Sequence, residues 1–297
     1  MEQFCDAGRG ITLCYETFGG ESDPPLLLIM GLGTQMLGWP DEFCEQLAER
    51  GFHVVRFDNR DSGRSTHVDG PPPPIRQLVT RRIHPVVYTL RDMAEDTLRL
   101  MRALEIEPAH LIGASMGGMI AQTLAAEHPE SVRSLVSIMS NTGSRLRGQP
   151  ALGIYKYFLT TAPEDRDGYV DRVANLFARI GSRGIPQDTE RVREIIARSY
   201  ERDHDRAAPG RQLGAIFASG NRTGQLRSIT APTLVIHGSK DRMIAHSGGV
   251  ATVRAIPGAR LVTINGMGHD LPEAAWPQVL DAITEHVRAA ERPVVAG

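Results

Sequence analysis

The chain has 297 residues, a formal net charge of −2 at neutral pH and a hydrophobic content of 41%. The near-neutral charge gives no indication of a nucleic-acid partner or of binding to an anionic membrane surface. The length is sufficient for one large α/β domain, or for such a domain with an insertion.

The cysteine count and the first residues of the chain favour a cytoplasmic location. Cys5, Cys14 and Cys44 are an odd number of cysteines in a long chain, which favours reduced thiols over a disulfide framework. The first residues lack a positive segment followed by an apolar one, and the apolar runs are too short to cross a bilayer. We expect a cytoplasmic protein without stable membrane insertion.

Short apolar segments alternate with segments of helical periodicity along most of the chain. Strands are predicted at residues 11–18, 26–30, 53–57, 110–112, 134–139, 233–237 and 260–264. Helices are predicted at residues 43–50, 89–104, 118–126 and 276–290. This alternation predicts the α/β class with a mostly parallel, doubly wound sheet. A turn at residues 8–10 predicts an opening hairpin, and therefore an antiparallel edge.

Residues 143–228 interrupt the alternation. Helices are predicted there at residues 154–159, 169–180, 189–200 and 212–219, with prolines and glycines between them. We interpret residues 143–228 as a helical cap inserted into a core domain made of residues 1–142 and 229–297. Because the insertion falls between two sheet strands, we expect it to lie over the strand ends as a lid. A decoration away from the site is the alternative.

Residues 113–117 have the sequence Gly-Ala-Ser-Met-Gly, between a predicted strand and a predicted helix. A sharp turn of this kind lifts the central serine above the sheet and places it at a helix N-terminus. The strained backbone requires small residues two positions away, which Gly113 and Gly117 supply. The pattern predicts that Ser115 is a nucleophile.

A serine hydroxyl needs a base to remove its proton, and the base needs a carboxylate to orient it. His269 follows the last predicted strand and is the best candidate for the base, with His246 as its rival. Asp241 follows the strand at 233–237 and is the best candidate for the acid, with Asp270 and Glu273 as rivals. The order Ser115, Asp241, His269 is the order expected in α/β hydrolases.

Acyl transfer also needs two donors for the developing oxyanion. The backbone N–H of Met116 and that of Leu32 are the candidates. Leu32 lies in the segment Gly31-Leu32-Gly33, after the strand at 26–30. A dinucleotide-binding turn would need a third glycine where Met36 stands, so no cofactor is indicated.

These motifs occur together in one known superfamily, which the chain resembles over nearly its whole length. Residues 29–40 (IMGLGTQMLGWP), 56–65 (RFDNRDSGRS), 113–122 and 266–272 resemble aclacinomycin methylesterase-type enzymes. They resemble LipG-type carboxylesterases and thioesterases equally well. The resemblance implies the α/β-hydrolase fold and a Ser-His-Asp triad. One departure is Met30-Gly31, where many members carry His-Gly. The loop at 58–65 is expected to brace the site through Asp–Arg pairing.

Methionines are concentrated near the strand ends that carry these motifs. Methionine adapts to varied apolar shapes, so we predict an apolar pocket that includes Gly31, Met36, Met139 and Met243. The alternative is that these methionines fill gaps in the core.

The predicted function is hydrolysis of a carboxylic ester of a hydrophobic small molecule, without a metal or cofactor. A methyl ester, acyl ester, lactone or thioester suits the same residues. Carbon–carbon bond hydrolysis and cofactor-free peracid formation are alternatives on the same triad. A non-catalytic small-molecule binding protein is a third alternative.

Overall fold

The computed structural model describes residues 1–158 and 163–292, and its centre is an eight-stranded sheet. The strands in chain order are β1 (Gln3–Asp6), β2 (Thr12–Phe18), β3 (Pro25–Ile29), β4 (His53–Phe57), β5 (Ala109–Ala114), β6 (Val132–Ile138), β7 (Thr233–Gly238) and β8 (Arg260–Ile264). Their order across the sheet is β1-β2-β4-β3-β5-β6-β7-β8. Strand β2 runs antiparallel to both neighbours, and every other pair is parallel. The predicted parallel sheet with an antiparallel edge is therefore confirmed.

Eleven α-helices accompany the sheet in the described ranges, together with short 3₁₀ helices at Met36–Gly38, Pro129–Ser131, Leu152–Ile154 and Glu273–Ala275. The α-helices are α1 (Asp41–Glu49), α2 (Ile75–Thr80), α3 (Leu90–Ala103), α4 (Met116–Glu127), α5 (Tyr155–Phe158), α6 (Arg166–Ile180), α7 (Thr189–Arg202), α8 (Ala208–Ser219), α9 (Thr223–Leu226), α10 (Ser247–Ala255) and α11 (Trp276–Glu291). Among the residues described, no helix is both long and apolar enough to cross a membrane.

Two hydrophobic cores lie on opposite faces of the sheet. Leu27 and Ile29 of β3 face the core that α3 and α4 cover, whereas Leu26 and Leu28 face the core that α1 and α11 cover. This alternation follows from the two-residue period of a strand. Each large side chain fully removed from water contributes about 1.5–3 kcal/mol. The sheet is thus fixed from both sides, which gives the ends of its strands defined positions.

Helices α5 to α9 all fall between β6 and β7 in the chain, within residues 143–228. The predicted cap is therefore helical where it is described; residue 159, the last of one predicted helix, lies outside the described residues. The proline segment of residues 71–74 runs against α8. An added Cβ at Gly210 would lie 2.6 Å from Pro72 Cβ, and one at Gly214 would lie 2.7 Å from Pro73 Cγ. Glycine at these positions lets the prolines pack directly on the helix.

Some features of the fold were not predicted. Helices α2, α9 and α10 have no counterpart among the predicted elements. Helix α10 begins Ser-Gly-Gly, which is poor helix-forming sequence. The three cysteines are buried and unpaired, as the reduced-thiol prediction requires.

Candidate active site

Ser115 occupies a strained turn between β5 and α4. Its backbone angles are φ 55° and ψ −116°, a conformation that residues with side chains rarely adopt. A Cβ at Gly113 would overlap the carbonyl oxygen of Gly117, and a Cβ at Gly117 would overlap that of Ile29. Both glycines are required by close backbone approach. The turn presents Ser115 at the N-terminus of α4, in the wall of the main cavity.

His269 links Ser115 to Asp241. Ser115 Oγ lies 2.9 Å from His269 Nε2, and His269 Nδ1 lies 2.8 Å from Asp241 Oδ2. Ser115 follows β5, Asp241 follows β7, and His269 follows β8. The three residues meet because parallel strands end at the same edge of the sheet. The backbone N–H of His269 donates to Ile180 O, the last residue of α6.

Asp241 is buried, and both of its oxygens are used. Oδ1 accepts hydrogen bonds from the N–H groups of Met243 and Ile244, each at 2.8 Å. Oδ2 faces His269 and also lies 3.4 Å from His237 Nε2. Burial by itself raises the pKa of Asp241, but the two histidines outweigh burial and the net pKa is lowered. The carboxylate is therefore ionised at neutral pH.

The rival residues lie elsewhere. His246 Nε2 bonds Thr263 Oγ1 at 2.9 Å, away from the serine. Asp270 accepts hydrogen bonds from Ser182 Oγ and from the Gln187 amide, and Glu273 is exposed. The structure brings together the three residues that sequence position favours.

The loop after β3 passes close to the serine. A Cβ at Gly31 would lie 3.0 Å from Ser115 Cβ, so only glycine fits there without displacement. Within the described residues, neither the Leu32 N–H nor the Met116 N–H donates a hydrogen bond. Gln212 of α8 accepts from the Gly33 N–H at 2.8 Å. Asn59 donates to Met30 O at 3.0 Å, which holds the other end of the loop.

Residues 58–65 brace the site, but their main partners lie within residues 143–228, on α7 and α8. Asp58 Oδ2 pairs with Arg202 Nη2 of α7 at 2.9 Å. Asp61 pairs with Arg211 of α8 through two bonds, at 2.7 and 2.8 Å. Both carboxylates are fully buried. Sequence reasoning did not identify Arg202, Arg211 or Gln212. Each lies 144 or more residues from the partner named above, and no local sequence pattern marks a partner at that distance.

A cavity of about 1500 Å³ opens above Ser115 and His269. Its wall combines residues from within 143–228 with residues from the rest of the chain. Aromatic side chains in the wall are Trp39, Tyr155, Tyr157, Tyr169, Phe177, Phe217 and Trp276. Of the predicted pocket residues, Gly31, Met139 and Met243 line this cavity. Met36 is fully buried and is absent from its wall, so the pocket prediction fails at that position. Met30 and Met119 line the cavity as well.

A family model of the alpha/beta hydrolase fold matches residues 24–273, and the chain belongs to this family. Rhodomycin D methylesterase DauP of Streptomyces sp. (strain C5) is 30% identical, over 94% of this chain and 96% of that relative. Rhodomycin D methylesterase DnrP of Streptomyces peucetius is 29% identical, over the same shares of the two chains. With the fold, these relatives identify the chain as a carboxylic ester hydrolase.

Solved structures agree on the fold. The enol-lactonase from Burkholderia xenovorans LB400 has a TM-score of 0.70 and 23% identity, covering 97% of this chain and 99% of its own. The 2-hydroxy-6-oxo-6-phenylhexa-2,4-dienoate hydrolase from Rhodococcus sp. strain RHA1 has a TM-score of 0.75 and 20% identity, covering 97% and 98%. At these identities the similarity concerns the architecture.

Proposed function

We propose that this protein hydrolyses a carboxylic ester of a bulky, apolar small molecule, with Ser115 as nucleophile, His269 as base and Asp241 as orienting acid. The observation that carries the proposal is the hydrogen-bonded chain from Ser115 through His269 to Asp241, at the floor of a cavity of about 1500 Å³. Activation of a serine requires a base within hydrogen-bond reach, and this contact meets that requirement.

The reaction follows from these contacts. Ser115 Oγ attacks the ester carbonyl carbon while its proton passes to His269 Nε2. The same proton then leaves with the alcohol, and an acyl-enzyme remains. Water, deprotonated by His269, attacks the acyl carbon and releases the acid and the serine. Asp241 holds the imidazole in place and stabilises it while it is charged.

The Leu32 and Met116 N–H groups are proposed as the oxyanion donors. Both lack a hydrogen-bond acceptor among the described residues, and both flank the serine. Fixed backbone donors of this kind stabilise the charge that develops on the carbonyl oxygen. The Gln212 and Asn59 contacts support the loop that carries Leu32, so its position is set before substrate binds.

Substrate size follows from the cavity. Ligand pockets commonly measure about 300–1000 Å³, and this cavity is larger. Its wall is rich in aromatic and methionine side chains, which suits a fused or multi-ring apolar ester. Similarity to methylesterases of rhodomycin D supports a methyl ester as the cleaved group.

Residues 143–228 are proposed as the cap, and the unpaired cysteines fit a cytoplasmic location.

The test is hydrolysis of p-nitrophenyl esters of increasing acyl length, and of methyl esters of multi-ring carboxylic acids, by the wild type and by Ser115→Ala. We expect turnover by the wild type that disappears in the variant. Labelling by a fluorophosphonate provides a second readout, because it requires an activated serine. Labelling without ester turnover would instead favour carbon–carbon bond hydrolysis. Absence of both would favour a binding protein.

A further inference from the structure

Exposed apolar side chains are concentrated in one part of the molecule. Nine large apolar side chains are exposed among the described residues, and seven of them fall in two short segments. The seven are Ile75, Val79, Val86, Val87, Leu146, Leu152 and Tyr155. Leu146 and Leu152 retain 88% and 90% of their accessible surface, and Val79 retains 71%. Concentration of this kind marks an interaction site, whereas single exposed apolar residues need no explanation.

The two segments lie side by side, and both contribute exposed side chains to the wall of the cavity. Arg81 Nη2 donates to Gln149 Oε1 at 2.6 Å, which joins the end of α2 to the second segment. The Gln77 side chain donates to the carbonyl oxygen of His84 and accepts from its N–H group, so the residues after α2 fold back on this helix. Ile75, Val79, Leu146 and Tyr155 also line the outer wall of the cavity. We call residues 75–87 together with residues 144–155 the mouth surface.

The charge of the mouth surface has one sign within its described side chains. It carries five arginines and no acidic residue, although the whole chain has a net charge of −2. The arginines are Arg76, Arg81, Arg82, Arg145 and Arg147. Four of them are exposed, and Arg81 is half-buried. None of the five forms an ion pair with a carboxylate of the described chain. Elsewhere the surface carries many Arg–carboxylate pairs, such as Arg166–Glu201 and Arg193–Asp171.

We propose that the mouth surface docks reversibly on an anionic lipid bilayer. Arginines attract anionic headgroups, and the apolar side chains between them enter the boundary between headgroups and acyl chains. The combination of cationic and apolar side chains favours an anionic bilayer over other partners. A second copy would place two cationic surfaces face to face, and nucleic acid would leave the leucine and valine side chains without apolar contact. Docking of this kind needs no spanning helix, and none is present among the described residues.

Docking in this orientation has a consequence for substrate access. Ile75, Val79, Leu146 and Tyr155 are both exposed and part of the cavity wall, so docking of the mouth surface brings this part of the wall to the lipid. A hydrophobic ester accumulates in a bilayer far above its concentration in water, and it could pass into the cavity without crossing water. The inference extends the proposed function by naming where the substrate is taken up.

The binding test uses Ser115→Ala protein, so that lipid binding is measured without catalysis. The protein is sedimented with vesicles of phosphatidylcholine alone, and with vesicles of phosphatidylcholine mixed with phosphatidylglycerol. We expect at least roughly tenfold stronger partitioning onto the anionic vesicles, reversed by high salt. Failure of the proposed esterase activity would leave this result unaffected, since binding is read by sedimentation.

Variants locate the surface. Arg76→Glu with Arg82→Glu should lower partitioning by about tenfold or more, because each reversal removes a favourable contact and adds a repulsive one. Ile75→Ser with Val79→Ser should lower it while leaving the charge unchanged. The matched controls are Arg9→Glu with Arg292→Glu, and Phe4→Ser, all exposed and outside the mouth surface. These controls should bind like the parent protein.

Three outcomes would overturn the proposal. Equal binding to neutral and anionic vesicles would remove the role of the arginines. Equal loss in the control variants would remove the assignment to the mouth surface. Self-association in gel filtration that Ile75→Ser with Val79→Ser abolishes, without vesicle binding by the parent, would assign the surface to a second copy.

Discussion

Arg202 and Asp58 form a buried ion pair that joins the end of α7 to the loop after β4, across 144 residues of sequence. Asp58 also accepts hydrogen bonds from the N–H groups of Met36 and Arg64. Burial raises the pKa of Asp58, although Arg202 acts in the opposite direction. The carboxylate therefore depends on its partner to remain charged in the interior.

Replacing Arg202 by alanine should destabilise the protein strongly. The change leaves Asp58 buried without its counter-charge, which costs about 3–5 kcal/mol of unfolding free energy. The measurement is urea unfolding followed by tryptophan fluorescence. Arg198→Ala, an exposed position on the same helix, should change stability by less than about 0.5 kcal/mol. The prediction is wrong if the two variants are equally stable.

Asp241→Asn should lower kcat by roughly 10³–10⁴-fold with little change in KM, because the imidazole loses its orientation and its counter-charge. Asp270→Asn is the matched control, since Asp270 adjoins His269 but bonds Ser182 and Gln187 instead. We expect the control to retain activity within about tenfold. Steady-state kinetics on one ester decides between them. Equal losses in the two variants would leave the acid unassigned.

Gly113→Ala and Gly117→Ala should each prevent a stable native turn, because the new Cβ would overlap a backbone carbonyl oxygen in both cases. Destabilisation above about 3 kcal/mol is expected, and it should show as loss of cooperative thermal unfolding. Gly224→Ala in α9 meets no atom within 4 Å and should be neutral or stabilising. Normal folding of Gly117→Ala would contradict the close approach to β3.

Substrate range should depend on the methionines in the cavity wall. Leucine at positions 119, 139 and 243 together removes flexible thioethers and should narrow the range of ester sizes accepted. Relative kcat/KM across an ester series is the measurement. Met36→Leu is the control, since Met36 is buried away from the wall and should affect stability alone. An unchanged range in the triple variant would assign these methionines to gap filling.

His67 should make stability depend on pH. Partial burial lowers the pKa of His67, but the Gly63 carbonyl and three aspartates outweigh burial and the net pKa is raised above 6.5. A raised pKa means that the folded state favours the charged imidazole. Its contribution is full below pH 6.5 and is lost as pH rises through the folded-state pKa.

The Tm of the wild type should therefore exceed that of His67→Gln below pH 6.5, by about 2 °C. The difference should disappear in alkaline buffer. A constant difference between wild type and His67→Gln at all pH values would show that His67 acts through packing alone.

Local sequence was sufficient to predict the sheet and the residues proposed for catalysis. Ser115 lies in a short motif with its own geometric requirement, and Asp241 and His269 directly follow strands that hydrophobic runs identify. Their meeting then follows from the parallel arrangement of the sheet. These predictions needed no knowledge of distant contacts.

Other features depend on contacts that the sequence does not mark. Helix α10 contains Gly248 and Gly249, and a Cβ at Gly249 would lie 2.6 Å from His237 Nδ1. Packing against His237 therefore selects a residue that weakens the local helical signal. The partners of Asp58 and Asp61 are likewise fixed by the docking of α7 and α8, which only the fold reveals. Met36 was assigned to the pocket by proximity in sequence, whereas it begins a short 3₁₀ helix, Met36–Gly38, and is fully buried there.

Two parts of the cavity wall are held in place by contacts of different strength. Helices α7 and α8 are fastened by buried ion pairs, whereas the mouth surface is joined across its two segments by a neutral acceptor on Gln149. Substitutions that break the ion pairs of α7 and α8 should therefore cost more stability than substitutions of the exposed side chains of the mouth surface. New substrate preferences should arise by replacement of the mouth-surface residues that line the cavity, while Ser115, His269 and Asp241 stay the same.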